Sequence, residues 1–219
     1  MGQMINRRRE MGGEKPYLRF VALEDGTFKH NLESFQYSLD EGNTWTTLAA
    51  NTDTPTILAG QSILWKGNMS PGNRDQWFVS SNKFDVEGDP RSLIYGDNFE
   101  NGVAQEYMFY KLFYSCTKLV HAHKILLPLT TLANQAYMRM FQGCSSLESC
   151  PSELPAMSMT GNCYGYMFSE CSSLVNAPEI LATTLSSTYC CQSMFYNCSS
   201  LIKAPSNLYA TTLTTFCYQ

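Results

Sequence analysis

The chain has 219 residues, 44% of them hydrophobic and 16% charged, with a formal net charge of −4. This is enough apolar material for a sizeable core, and it excludes an intrinsically disordered chain, which needs low hydrophobicity and high charge. A pI near 5.4 excludes a broadly basic nucleic-acid binder, and no run approaches the roughly 18 apolar residues of a membrane span, so neither nucleic acid nor membrane insertion is expected.

Residues 1–16 are polar, with Arg7-Arg8-Arg9 beside Gly12-Gly13. No apolar stretch of about 7–15 residues comes after them, as a secretory signal requires. Asn6 stands where a myristoylation site wants Ser or Thr. The segment reads as a flexible basic arm.

Residues 17–101 form the second unit. Aromatic-rich or alternating stretches predict strands at Leu18–Leu23, Thr27–His30, Phe35–Leu39, Trp45–Leu48, Ser62–Lys66, Trp77–Ser80 and Leu93–Tyr95, separated by turn residues such as Asp25-Gly26 and Pro71-Gly72-Asn73. Short strands at intervals of about 8–12 residues predict a small β-sandwich. Its expected task is to cap the second half of the chain and to space it from an anchor. Ser38-Leu-Asp40-Glu-Gly42-Asn-Thr44-Trp45 resembles the Asp box of sialidases and other secreted β-proteins. Physically it is a hairpin turn, in which Asp40 accepts hydrogen bonds, Gly42 permits positive φ and Trp45 packs beneath. In sialidases the motif recurs around a propeller, away from the active site. Here it occurs once, in a unit too short for a propeller, so a glycosidase is not expected. Asp85, Glu87 and Asp89 alternate, which predicts a solvated strand edge rather than a cation site.

The composition shifts near Asn101-Gly102. Residues 1–102 carry 10 basic and 14 acidic side chains, and residues 103–219 carry 5 and 5. Residues 102–219 contain four copies of one pattern: Phe113-Tyr-Ser-Cys116-Thr-Lys-Leu119, Phe141-Gln-Gly-Cys144-Ser-Ser-Leu147, Phe168-Ser-Glu-Cys171-Ser-Ser-Leu174 and Phe195-Tyr-Asn-Cys198-Ser-Ser-Leu201. The Cys-to-Cys steps are 28, 27 and 27 residues, and such a period marks a stacked-repeat protein. Upstream of each Phe, apolar residues recur at offsets 0, 1, 4, 5 and 8, as in Ala136, Tyr137, Met140, Phe141 and Cys144. At about 100° per residue these fall within an arc of about 140°, which predicts one face of a short helix. The preceding Thr-Thr-Leu (Thr130 to Leu132, Thr183 to Leu185) is expected to start that helix through hydroxyl capping. After each Cys, a short strand ends at a small residue and often Pro, as in Leu174-Val-Asn-Ala177-Pro178. The predicted fold class is therefore α+β: an N-terminal β-sandwich followed by a repeat solenoid with one short helix and one short parallel strand per repeat of about 27 residues. A fifth unit begins at Cys217-Tyr218, so the chain reads as a fragment, or as one whose open end is covered by another segment.

These residues resemble the BspA-like leucine-rich repeats of bacterial surface proteins: Met-Phe-x-x-Cys-x-Ser-Leu, a strand ending in Ala-Pro, then Thr-Thr-Leu. The resemblance covers about residues 104–219. It implies a right-handed solenoid with a parallel sheet on one face, and adhesion or ligand binding rather than catalysis. The first repeat departs most, with His123 where the others have Pro.

Seven of the nine Cys fall in two columns of the repeat: Cys116, Cys144, Cys171, Cys198, and Cys163, Cys190, Cys217. They read as buried thiols, compact hydrophobes filling the stack. Ala136 occupies the column of Cys163, so size matters there and sulfur does not. No Cys-x-x-Cys occurs, and His121-x-His123 lacks a paired Cys motif, so no metal is expected. No phosphate-cradling loop occurs and no thiol sits beside a His in sequence, so no cofactor and no catalysis are expected. What remains is a surface. Each repeat strand presents one outward position: His121, Ser149, Asn176 and Lys203. The expectation is a non-enzymatic binding or adhesion protein, extracellular or at a cell surface, recognising protein or glycan on a host or neighbouring cell through that face. The alternative is a bacteriophage virion or fibre protein, which reaches the exterior without a signal.

Overall fold

The computed structural model describes residues 15–31, 35–72, 77–185 and 187–213. Residues 1–14 of the basic arm and the Cys217-Tyr218 start of a fifth repeat lie outside the described residues. Seven strands come first: β1 (Leu18–Ala22), β2 (Phe28–His30), β3 (Phe35–Ser38), β4 (Thr46–Leu48), β5 (Ser62–Lys66), β6 (Phe78–Ser80) and β7 (Phe84–Gly88). A single turn of α-helix, α1 (Ser92–Tyr95), and a 3-10 helix, Gly96–Asn101, come next. The repeats then contribute β8 (Leu119–Ile125), β9 (Thr131–Leu132), β10 (Glu153–Leu154), β11 (Ser158–Met159), β12 (Glu179–Ile180) and β13 (Thr184–Leu185).

The strands of the first half owe their form to period-two burial. Leu18, Phe20 and Ala22 of β1 point into the core while Arg19 and Val21 are half-buried, and β7 repeats the pattern with Phe84, Val86 and Gly88 inside. β4-β3-β5-β1-β7-β8 form one mixed sheet, antiparallel except that β7 and β8 run parallel. β2 and β6 pair separately, bringing Phe28 and Phe78 against Phe20. Gly88 ends β7 at φ +81, where a Cβ would lie 2.0 Å from the Tyr17 carbonyl oxygen; only glycine admits that approach. Because β8 belongs to the first repeat, the two halves of the chain share a sheet, and one apolar core runs from Leu18 to Met194.

Two strand expectations need correction. Leu93–Tyr95 lies in α1, not in a strand, and β7 is absent from the predicted strands because its Asp and Glu are poor strand formers. The Asp85–Asp89 segment is not a solvated edge either, since β7 lies between β1 and β8.

The predicted fold class is also overturned. The chain is mostly sheet, and among the described residues α1 is the one α-helix, outside the repeats. No helix-plus-strand solenoid is seen, and in place of a closed β-sandwich stands the mixed sheet with the small β2–β6 pair beside it. The apolar offsets 0, 1, 4, 5 and 8 belong to a run of turns with a strict period of four. Every fourth residue is left-handed: Tyr107, Lys111 and Ser115 have φ of 55, 58 and 55°, Gln135 and Arg139 have 56 and 59°, and Tyr189, Ser193 and Asn197 have 62, 47 and 59°. An α-helix cannot contain such residues. Backbone bonding alternates accordingly. In the first repeat Tyr110, Leu112, Tyr114 and Cys116 donate N–H three residues back, while Tyr107, Phe109, Lys111, Phe113 and Ser115 donate to carbonyls of the second repeat. The second repeat donates to the third, and the third to the fourth, in the same way.

Ring spacing explains why turns win. Phe113, Phe141, Phe168 and Phe195 stack at centroid distances of 5.5, 5.4 and 5.9 Å with interplanar angles of 13, 3 and 2°. Packed helices hold their axes 8–10 Å apart, too far for such stacking, whereas chains bonded edge to edge lie about 4.8 Å apart. The Thr-Thr-Leu segments are not helix caps. They supply β9 and β13, which pair in parallel with β11.

The first half closes one side of this stack. Trp77 Nε1 donates to the Tyr110 carbonyl at 3.0 Å, Cys116 Sγ donates to the Phe78 carbonyl at 3.1 Å, and the Phe78 ring stacks on Phe113 at 6.2 Å. β6 thus occupies the place of a preceding repeat.

Candidate binding face

The four expected positions come from equivalent points of successive repeats, and parallel bridges join them in two pairs. His121 on β8 bridges Ser149, and Asn176 bridges Lys203. Ala122 donates N–H to the Ser149 carbonyl at 2.8 Å and Ala177 to the Lys203 carbonyl at 2.9 Å. His121 and Ser149 are half-buried, while Asn176 and Lys203 are exposed. These positions carry an imidazole, a hydroxyl, an amide and an ammonium, and the backbone bridges fix where each side chain is rooted.

Charge gathers at the His121 end. His121 Nδ1 lies 2.7 Å from Asp85 Oδ1 on β7, and its Nε2 lies 3.7 Å from Glu148 Oε2. His123 Nδ1 lies 3.1 Å from Ser149 Oγ. Glu87 lies between Arg19 at 3.5 Å and Lys124 at 3.6 Å. Sequence reasoning missed Asp85 and Glu148 as neighbours of His121. The signal for Asp85 was its alternation with Val86 and Phe84, the period of a strand. Asp85 and Ser149 engage different imidazoles, so the Ser–His–Asp relay, in which one imidazole bonds both, is not assembled. Among the described residues no group of three or more His, Cys, Asp or Glu could hold a metal ion, and no helix is long and apolar enough to cross a membrane.

The Asp-box segment forms a closed turn. Asp40 accepts from Thr44 N at 2.9 Å, Thr44 Oγ1 at 2.6 Å and Ser38 Oγ at 2.7 Å, while Trp45 Nε1 donates to the Gly42 carbonyl at 3.0 Å. The bonds from Thr44 hold the Asp40 carboxyl down at about 2. The Trp45 ring meets Tyr17 edge-on at 5.0 Å, and Lys66 Nζ sits 4.2 Å from its centroid. All these contacts are spent within the module.

The thiols have a more specific task than filling space. Cys144 Sγ donates to the Phe113 carbonyl at 3.0 Å, Cys171 Sγ to Phe141 at 3.1 Å and Cys198 Sγ to Phe168 at 3.0 Å. Each is a bond from one repeat to the one before it. Cys163 Sγ lies within reach of two carbonyls, Ala133 of the repeat before it at 3.1 Å and Thr160 of its own turn at 2.7 Å, and Cys190 Sγ donates to the Ser187 carbonyl at 2.8 Å; Cys217 lies outside the described residues. Burial pushes every one of the thiols Cys144, Cys150, Cys163, Cys171 and Cys198 up, Cys150 to about 12 and Cys198 to about 11, against an ordinary value of 9.0. They are poor nucleophiles at neutral pH.

A thiol whose pKa is higher folded than unfolded contributes its full stabilisation below about pH 9 and loses it as pH rises through the folded value. Urea melts at pH 7 through 11 are expected to show stability falling from about pH 9, less steeply in a Cys144→Ala, Cys171→Ala double variant. Iodoacetamide at pH 7 is expected to reach Cys198, the one half-buried thiol among those described, before the other seven described thiols. Equal labelling rates in the native state would contradict this placement.

No protein-family model, no curated protein and no solved structure matches the chain.

Proposed function

We propose that the protein is a non-enzymatic binding protein, displayed at a cell surface or on a virion, that recognises a protein loop or a glycan through His121, Ser149, Asn176 and Lys203. The observation that carries this reading is the parallel bridging of these positions, His121 to Ser149 and Asn176 to Lys203. A backbone-fixed row of hydrogen-bonding groups loses little conformational entropy when a ligand binds, which favours recognition. The resemblance to BspA-like surface repeats points the same way. Glu148 beside His121 makes that end of the row acidic, while Lys203 makes the other end basic, so a ligand with separated charges or a run of hydroxyls fits it.

The test is binding of the whole chain to a glycan array and to intact bacterial and animal cells, read by fluorescence. The Asn176→Ala, Lys203→Ala double variant removes two exposed side chains and is expected to melt like the parent. It is expected to lower binding by about tenfold or more, the loss typical of central interface positions. Absence of any binding, or binding indifferent to both substitutions, would remove this face from consideration.

A further inference from the structure

The register of the first sheet places three polar side chains abreast. Gln36 on β3 pairs with Thr47 on β4 and with Lys66 on β5. Its neighbours along β3, Phe35 and Tyr37, are buried, so by strand alternation Gln36 and its two partners stand on the outer face of the sheet. Past β5 the chain runs beside α1, where Gly67 and Met69 donate N–H to the Ser92 and Leu93 carbonyls at 2.9 and 3.2 Å. Gly96 then turns the chain at φ +51, and a Cβ there would lie 3.0 Å from Asn68 Oδ1, so glycine lets the two segments meet. The sheet row and these two segments line a cleft of about 490 Å³, a volume usual for small-molecule sites.

The charged groups of the cleft satisfy each other. The two carboxylate oxygens of Asp97 accept from Lys66 Nζ at 2.9 and 3.0 Å, and one of them accepts from Tyr17 Oη at 2.6 Å. Lys66 Nζ also sits over the Trp45 ring. The bond from Tyr17, then that from Lys66, holds the Asp97 carboxyl below its ordinary 3.8, so it stays ionised at neutral pH. The uncharged groups are left over. Gln36, Thr47, Asn68 and Asn98 line the cleft, and their side chains make no hydrogen bond to any described residue. Beside them stands the half-buried Tyr95 ring. Its hydroxyl is fixed, donating to the Val103 carbonyl at 2.7 Å and accepting from Gln105 Nε2 at 2.6 Å.

We propose that this cleft binds a neutral sugar. Three side-chain amides and a hydroxyl each offer both a donor and an acceptor. That is the complement of adjacent sugar hydroxyls, each of which gives and takes a hydrogen bond. The anchored Tyr95 ring supplies an apolar surface for the C–H face of a pyranose. Because Lys66 and Asp97 neutralise one another, an acidic sugar would bring a charge that the described lining does not balance. Glycoside hydrolysis needs a pair of carboxyl groups, one of them protonated. Among the described lining residues Asp97 is the one carboxylate, and it is ionised, so the cleft holds a sugar without cleaving it. The cleft lies at the β4 edge of the sheet, whereas the repeat row begins on β8 at the opposite edge. It is therefore a second site and does not rest on the reading of that row.

The experiment is saturation-transfer NMR on the full chain with lactose, maltose, mannobiose and diacetylchitobiose, and with galacturonate and glucuronate as charged counterparts. Saturable transfer to at least one of the neutral sugars is expected, and none to the two acids. For the sugar that binds, an Asn68→Ala, Asn98→Ala double variant is expected to weaken binding about tenfold or more, as for the loss of two or more neutral hydrogen bonds. Thr47→Trp, which fills the cleft from an exposed strand position, is expected to abolish binding. Both variants alter exposed side chains and are expected to melt like the parent, and if one of them misfolds the other decides. Asn176→Ala, Lys203→Ala is expected to leave sugar binding unchanged, which separates this site from the repeat row. Transfer to none of the neutral sugars, tighter binding of either acid, binding that survives the cleft substitutions, or binding lost with Asn176 and Lys203 instead would overturn the proposal.

Discussion

Phe141→Ala is expected to destabilise the protein by about 3–5 kcal/mol, the range for removing a fully buried aromatic side chain and leaving a cavity behind. Phe141 is completely buried between two rings, at 5.5 Å from Phe113 and 5.4 Å from Phe168. Its backbone is engaged on both sides as well: its N–H donates to the Met167 carbonyl, and its carbonyl accepts from Cys171 Sγ and Cys144 N. The neighbours cannot collapse into the gap without breaking that register. Phe195→Ala removes the same atoms from a ring stacked on one side and only partly buried, so its effect is expected to be clearly smaller. Urea melts of the two variants give the comparison. Hydrogen exchange adds a second reading, since protection lost at Arg139 and Gly143, whose N–H groups donate to the third repeat, would show the junction itself loosening. Equal losses at positions 141 and 195 would mean that the rings do not act as a stack.

The period of the repeat, and the positions that face inward, were legible from residues alone. Phe, Met and Cys recur at fixed offsets because each occupies the same place in successive layers, and Met140, Phe141, Cys144, Met167, Phe168 and Cys171 are all buried. The backbone that carries them was not legible. Over nine residues a strict period of four and a helical period of 3.6 place apolar side chains on nearly the same arc, so the pattern alone does not choose between them. The deciding interactions, N–H to carbonyl between repeats, involve atoms that every residue has. Most left-handed turn positions are filled by Tyr, Lys, Ser, Gln, Arg and Glu, and with Gly143 and Asn197 the residue types that favour this conformation stand at only two of them, so the pattern gave little local warning. The alignment of His121 with Ser149 and of Asn176 with Lys203 was legible, one residue per repeat, from the spacing of the copies. Its carboxylate neighbours were not, since Asp85 reaches His121 only through the β7–β8 pairing between distant parts of the chain.

The second large effect is expected at Arg91, just past the end of β7. Arg91→Ala is expected to cost about 3–5 kcal/mol at neutral pH, the usual penalty for stranding one partner of a buried ion pair. Asp89 is 2% exposed and Arg91 8%. The carboxylate accepts from Arg91 N at 2.9 Å, from Nε at 3.1 Å and from Nη2 at 2.7 Å. Arg91 Nη1 also donates to the Gly102 carbonyl at 3.1 Å, and Asp89 N donates to the Pro16 carbonyl at 2.7 Å. One ion pair thus ties the end of β7 to both the start of the first unit and the approach to the repeats. Burial pushes the Asp89 carboxyl above its usual 3.8, and the bonds from Arg91 pull it partly back. Without Arg91 only the upward push remains. A carboxyl whose folded pKa exceeds its unfolded value favours folding most below the unfolded value, and that contribution is lost as pH rises through the folded one. The penalty of Arg91→Ala is therefore expected to be smaller near pH 4 than near pH 7, where the stranded carboxylate must either stay charged in the core or take up a proton. An Asp89→Asn, Arg91→Ala double variant removes the charge at every pH. It is expected to recover part of the loss at pH 7 and to be nearly indifferent to pH across that range. If single and double variants lose the same stability at both values, the damage comes from lost packing and from the severed Gly102 contact rather than from the stranded charge.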